Sequence, residues 1–188
     1  MKKKGIIVLI VIAVFVIGIV SWYINTRNGI IQLDETINQT MSEIDNQLQR
    51  RSDLIPNFVN TVRGYAAHEQ EVFDNIAQSR ARLAGAGTVE EKAAGYNDMQ
   101  SAMSRLLVIV EQYPDLKANQ NFIALQDELA GTENRIAVAR QRYNNSVGSF
   151  NIRIRTFPGS LIAGNMGFTQ RAYFEIAEAA RQVPLVEF

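Results

Sequence analysis

Apolar positions along this chain fall into one solid block followed by a series of stripes. From Gly5 to Ile24 runs an apolar block without a charge, dominated by Ile, Val, Leu and Phe. As a helix it would be about 30 Å long, the thickness of a bilayer's hydrocarbon core. Downstream, apolar residues recur every three or four positions, the spacing of a helix face rather than the alternation of a strand. Leu33, Ile37, Met41, Ile44, Leu48 and Ile55 make one stripe. Phe58, Val59, Val62, Tyr65, Phe73, Ile76 and Leu83 make a second. Pro56 falls between them, where it either kinks one long helix or begins another capped by Asp53; the kink is the preferred expectation. Gly85, Ala86 and Gly87 break the run, and Thr88 with Glu91 forms a capping box that starts the next helix. Met99, Met103, Leu106, Leu107 and Val110 line its buried face until Tyr113, Pro114 and Asp115 end it and cap a final helix.

That final helix carries the longest stripe. Phe122, Leu125, Leu129, Thr132, Ile136, Ala139, Tyr143, Val147, Phe150, Ile154 and Phe157 form a nearly unbroken heptad seam. The spacing predicts one helix from about Asp115 to Thr156, about 60 Å long, which needs equally long partners. Short connections make neighbouring helices antiparallel. The predicted fold is therefore all-α: an N-terminal transmembrane helix followed by an elongated antiparallel bundle of three to four long helices, a rod standing off the membrane.

The apolar block is longer than the core of a secretory signal peptide and is followed by no Ala-x-Ala cleavage site, so it is expected to stay attached. Lys2, Lys3 and Lys4 would hold its start in the cytoplasm, and Trp22 and Tyr23 sit where an aromatic belt meets the outer headgroups. The expected organisation is a cytoplasmic basic segment at 1–4, a single-pass anchor at 5–24 in an inner or plasma membrane, and an extracytoplasmic bundle over 25–188. Gly5, Ala13 and Gly18 make no small-x-x-x-small face, so pairing of anchors has no visible signal.

Charge narrows the possible partners. Without the three lysines the chain has 16 basic and 19 acidic residues, a net charge of −3, which argues against nucleic acid. Fourteen of those cations are arginines, suited to pairing with carboxylates between helices; only Lys92 and Lys117 are lysines. There is no cysteine, hence no disulfide, thiolate nucleophile or thiolate metal site.

Reactive chemistry is sparse. His68, Glu69 and Glu71 are the best candidates for a metal or an acid and base, but on a helix that spacing does not put all three on one face, and there is no second histidine. No catalytic, cofactor or metal residue is therefore assigned, and no cofactor is expected. Asn134, Asn144 and Asn151, with Thr132 and Gln126, are expected to make interhelical polar contacts, and Glu133 and Arg135 with Arg50 and Arg51 an ion network between two helices. The segment Leu161 to Phe168 is apolar yet rich in helix breakers. It is expected to fold back over the end of the bundle, with Phe168, Tyr173 and Phe174 as plugs; a partner-docking patch is the alternative.

Three blocks resemble the LemA family. The first is Arg50, Arg51, Ser52, Asp53, Leu54, Ile55, Pro56 and Asn57 with Gly64, Tyr65, Ala66, Ala67, His68 and Glu69. The second runs from Tyr113, Pro114, Asp115, Leu116, Lys117, Ala118 and Asn119 into Phe122, Leu125, Gln126, Glu128, Leu129, Thr132, Glu133, Asn134, Arg135, Ile136, Ala139, Arg140, Tyr143 and Asn144. The third is Phe157 and Pro158 with Ala163, Gly167, Phe168 and Phe174. The resemblance implies an N-terminally anchored helical-bundle protein of bacterial envelopes with no established enzymatic activity. The expected function is a non-catalytic scaffold or interaction module that contacts the bilayer through 5–24 and binds unidentified envelope or membrane proteins, with homo-oligomers as a variant. Two alternatives stand beside it: an accessory factor of a membrane peptidase or envelope-stress system, and a metal-dependent enzyme or regulator centred on His68.

Overall fold

The computed structural model describes residues 2–175 and is all-α, with six helices and no strand among them. They are α1 (Lys2–Arg63), α2 (Gln70–Gly85), α3 (Val89–Val110), α4 (Pro114–Lys117), α5 (Gln120–Arg155) and α6 (Gly159–Asn165). The side chains of Lys2, Lys3 and Lys4, and the last part of the segment expected to cover the bundle end, lie outside the described residues. Two compact units divide the chain: Met1–Gln39 with Asn145–Arg171, and Thr40–Asn144 with Ala172–Phe188.

In the second unit α1 and α5 run antiparallel. Glu43 meets Arg142, Gln47 meets Arg135, Arg50 meets Glu128, and the Phe58 and Phe122 rings lie 5.1 Å apart, positions rising on one helix as they fall on the other. The α2–α3 hairpin completes the core, in which Phe58, Val62, Phe73, Ile76, Met99, Met103, Leu106 and Phe122 are buried. Gly95 sits at the crossing of that hairpin: a Cβ there would stand 3.0 Å from the Leu83 Cα, so the absent side chain allows the close approach.

Pro56 neither ends α1 nor starts a new helix; α1 continues through it to Arg63, and Asp53 accepts from Gln49 Nε2 rather than capping. Proline has no N–H to give the carbonyl four residues back. That carbonyl, on Ser52, instead accepts from Arg80 Nε of α2 at 3.1 Å, and the same nitrogen donates to Ser52 Oγ.

Two expected helices are shorter than their stripes suggest. The stripe from Phe58 to Leu83 breaks at Gly64, the residue type least suited to a helix interior after proline, and helix resumes only at Gln70. Its Tyr65 and Ala66 N–H groups both close on the Val62 carbonyl. Likewise, the last long helix starts at Gln120, not Asp115. Pro114 to Lys117 form the single turn of α4, and Asn119 is the cap, its Oδ1 accepting the N–H groups of Asn121 and Phe122. The seam expected on α5 is buried from Leu129 to Ile154, while Leu125 is half-buried. It stops there: Phe157 lies past the helix end and is 76% exposed. Leu107, expected on the buried face of α3, is also exposed.

In the first unit, every side chain from Gly5 to Asn25 is exposed, and burial begins at Thr26 and continues at Ile30 and Ile37. The α5–α6 corner depends on Gly159, whose Cβ would lie 2.1 Å from the Arg153 carbonyl oxygen. The segment expected to resist helix contains α6, with Ile162 and Ala163 buried. It ends in a Schellman motif: Gly167 at φ +73, its N–H on the Gly164 carbonyl and the Phe168 N–H on the Ala163 carbonyl. Phe168 then packs edge-on to Phe150 at 5.7 Å.

Candidate functional site

The densest polar cluster lies in the second unit and grows from three helices. Arg51, on the inward face of α1, is 5% exposed. A buried guanidinium needs a partner, and α5 supplies Glu133, whose Oε2 accepts from Arg51 Nη1. The other carboxylate oxygen accepts from the Tyr96 hydroxyl of α3, and Gln100, one turn further along α3, accepts from Arg51 Nη2 at 2.9 Å. Arg51 Nε has no partner among the described residues, so Glu133 and Gln100 carry the compensation for burying this charge.

Burial, first, and then the hydrogen bond and charge of Glu133 raise the Tyr96 hydroxyl well above the ordinary tyrosine value. It therefore stays a hydrogen-bond donor at neutral pH. Each group is hydrogen-bonded to another, so the cluster forms a polar node that ties α1, α3 and α5 together. A cavity of about 190 Å³ opens beside it, lined by Arg51, Phe58, Gln100, Met103, Leu129 and Glu133 among others.

The chain beyond α6 closes over the node. Phe174 is buried edge-on against Tyr96 at 6.2 Å, and the Arg140 guanidinium stands 5.8 Å from its ring and 5.9 Å from that of Tyr96. Asn144 holds this strap as another strand would: its Nδ2 donates to the Phe174 carbonyl and its Oδ1 accepts the Phe174 N–H. The Tyr143 hydroxyl adds a bond to the Ala172 carbonyl. In the first unit Asn151 makes the same two-way bond with Arg171, whose side chain pairs with Asp34 at 2.7 Å.

These arrangements differ from the expected ones in instructive ways. The interhelical network is two separate clusters: Arg51 with Glu133 inside, and Arg50 and Arg135 with Glu128 outside. Asn144 and Asn151 bind the strap, not a neighbouring helix. Thr132 bonds back to its own helix at the Leu129 carbonyl, Asn134 lines an open groove of about 470 Å³ with Glu43 and Arg142, and Gln126 lines the cavity beside the node. Of the expected plugs, Phe174 is buried, Phe168 half-buried and Tyr173 exposed. His68 is exposed in the turn before α2, with Glu69 at the cap position and Glu71 in the first turn. Among the described residues no three His, Asp or Glu side chains gather where they could hold a metal. Tyr96 and Gln100 went unmarked in the sequence, and Arg140 stood out only as part of the second family block; Tyr96 lies three residues before Met99, on the face already assigned to the core.

Residues 40–188 match the model of the LemA family. Magnetosome protein MamQ 2 of Paramagnetospirillum magneticum is 25% identical over 205 residues, covering 95% of this chain and 75% of the relative. MamQ of Magnetospirillum gryphiswaldense is 25% identical over 185 residues, 85% of this chain and 68% of its own length. Protein LemA of Metamycoplasma hominis is 27% identical over 164 residues, 85% of this chain and 73% of its own.

Proposed function

Because the chain belongs to the LemA family, we propose that it is a non-catalytic, single-pass membrane protein whose helical domain serves as a scaffold for other envelope or membrane proteins. The observation that carries this is α1 itself. One uninterrupted helix, Lys2–Arg63, contains the membrane-length apolar segment and also supplies a wall of the bundle, so no linker separates anchor from domain. The polar chemistry of the interior is spent on holding helices and strap together, and neither LemA nor MamQ carries a reaction in its name. Apolar side chains remain outward on the second unit, Val108 at 67% and Val138 at 49% exposure. Lys2, Lys3 and Lys4 support a cytoplasmic start, with the domain outside.

Photoreactive residues at Val108, Val138 and Tyr173 test the scaffold in living cells. One defined heterologous adduct at a single position is the expected result. Adducts only to the chain itself replace it with a self-assembling scaffold, and none at any position overturns it. Since there is no cysteine, Lys3→Cys and Val108→Cys report topology: a membrane-impermeant maleimide should label only position 108 in intact cells.

A further inference from the structure

We infer that the α5–α6 corner is a second membrane contact, with Phe157 and Leu161 seated in the headgroup boundary beside Trp22 and Arg153 and Arg155 on lipid phosphates. This rests on residues 5–24 spanning a bilayer. Phe157 and Leu161 are 76% and 63% exposed, a large apolar surface at a single turn of the first unit. The Phe157 ring lies 6.4 Å from the Trp22 ring. Trp22 is two residues from the end of the apolar run, about 3 Å of helix, so a span placed in a bilayer carries Phe157 to the same depth. That depth is where aromatic rings and apolar side chains with nearby cations bind lipid interfaces.

Charge selects the occupant. Between Glu133 and Glu175 the chain has no Asp or Glu. Of the arginines near the corner, Arg171 is paired with Asp34, whereas Arg153 and Arg155 form no ion pair among the described residues. Two arginines without an acidic partner in the last turn of α5, next in the chain to exposed apolar groups that an aromatic contact joins to the span, fit an anionic lipid surface better than a protein partner.

The full chain, placed in phosphatidylcholine vesicles containing phosphatidylglycerol, provides the test. Its single Trp is Trp22, so lipids brominated high on the acyl chain, quenching native fluorescence, report the anchor. Trp22→Phe with Phe157→Trp swaps the two rings and reports the corner. The expected result is quenching by bromolipid at both positions and little by aqueous iodide. Quenching of the position-157 indole by iodide alone, with native Trp22 quenched by lipid, overturns the second contact. If native Trp22 escapes bromolipid, the anchor itself fails and the corner with it. Arg153→Gln with Arg155→Gln leaves the apolar groups in place and should narrow the difference in position-157 quenching between vesicles with and without phosphatidylglycerol by roughly two-fold; no such difference in the unsubstituted corner overturns the contact of these arginines with anionic headgroups. Circular dichroism of each variant confirms that the helices remain.

Discussion

Arg80 gives Ser52 the hydrogen bond that Pro56 cannot, so the carbonyl freed by a proline inside α1 keeps a partner. Replacing Arg80 by Ala should cost about 1 kcal/mol, and Pro56→Ala should erase most of that cost, because residue 56 would then supply its own N–H. A double-mutant cycle by urea denaturation measures the coupling, and additive costs would disprove the substitution of one donor for the other. A larger penalty attaches to the node. Glu133→Ala leaves the buried Arg51 charge without its carboxylate and with only Gln100 as partner, a loss of roughly 3 kcal/mol, whereas Glu133→Gln keeps an acceptor for Arg51 or Tyr96 and should cost less. Tyr96 adds a pH signature. The folded state holds its proton more tightly than the unfolded chain, so the stabilisation is whole below about pH 10 and is lost as pH rises through the higher folded value. Tyr96→Phe should flatten that part of the alkaline decline in Tm.

Helix ends obey local rules that a sequence displays openly. The capping box is complete: Thr88 Oγ1 accepts the Glu91 N–H, and the Glu91 carboxylate accepts from the N–H groups of Gly87 and Thr88, which lower its pKa below the usual 4.5. Its contribution is present above pH 4.5 and is lost as pH falls through the lower folded value. Thr88→Ala should destabilise by about 1 kcal/mol, visible as faster amide exchange in the first turn of α3. Gly159 answers to the corner rather than to propensity: Gly159→Ala would push a methyl onto the Arg153 carbonyl, with an expected cost of about 3 kcal/mol or a displaced α6, read from Tm and from exchange at Ile162. The stripes themselves were legible, because Ile136, Ala139, Tyr143, Val147 and Phe150 are buried where heptad spacing puts them. The break at Gly64 was not, since apolar spacing runs on from Val62 to Tyr65 and only the backbone shows that the helix stops; the break at Ala118 precedes Phe122, the first residue of the seam, so the seam could not show it.

At the scale of the whole molecule, the extended strap is the feature that spacing concealed. In the second unit Asn144 grips the Phe174 backbone, and in the first Asn151 grips that of Arg171, yet nothing in the composition of the asparagines distinguishes that from interhelical bonding. Deleting residues 161–188 removes the cover from Tyr96 and Phe150 and should lower Tm strongly while leaving most helix in place; an unchanged Tm would leave the segment free for docking instead.

What the sequence determined by itself was set by regular periodicity and chain-local chemistry: an all-α chain, a membrane-length apolar segment, the seam of α5, the capping box and the family blocks. Periodicity specifies which face of a helix is buried because side chains three and four apart share that face. It does not specify the neighbour. That Arg51 would choose Glu133, that Arg80 would serve Ser52, that Asn144 would hold Phe174 and that Phe157 would leave the seam for Trp22 are matters of long-range geometry. They were decided only when segments dozens of residues apart were brought within hydrogen-bond or van der Waals reach, a condition that no local pattern records.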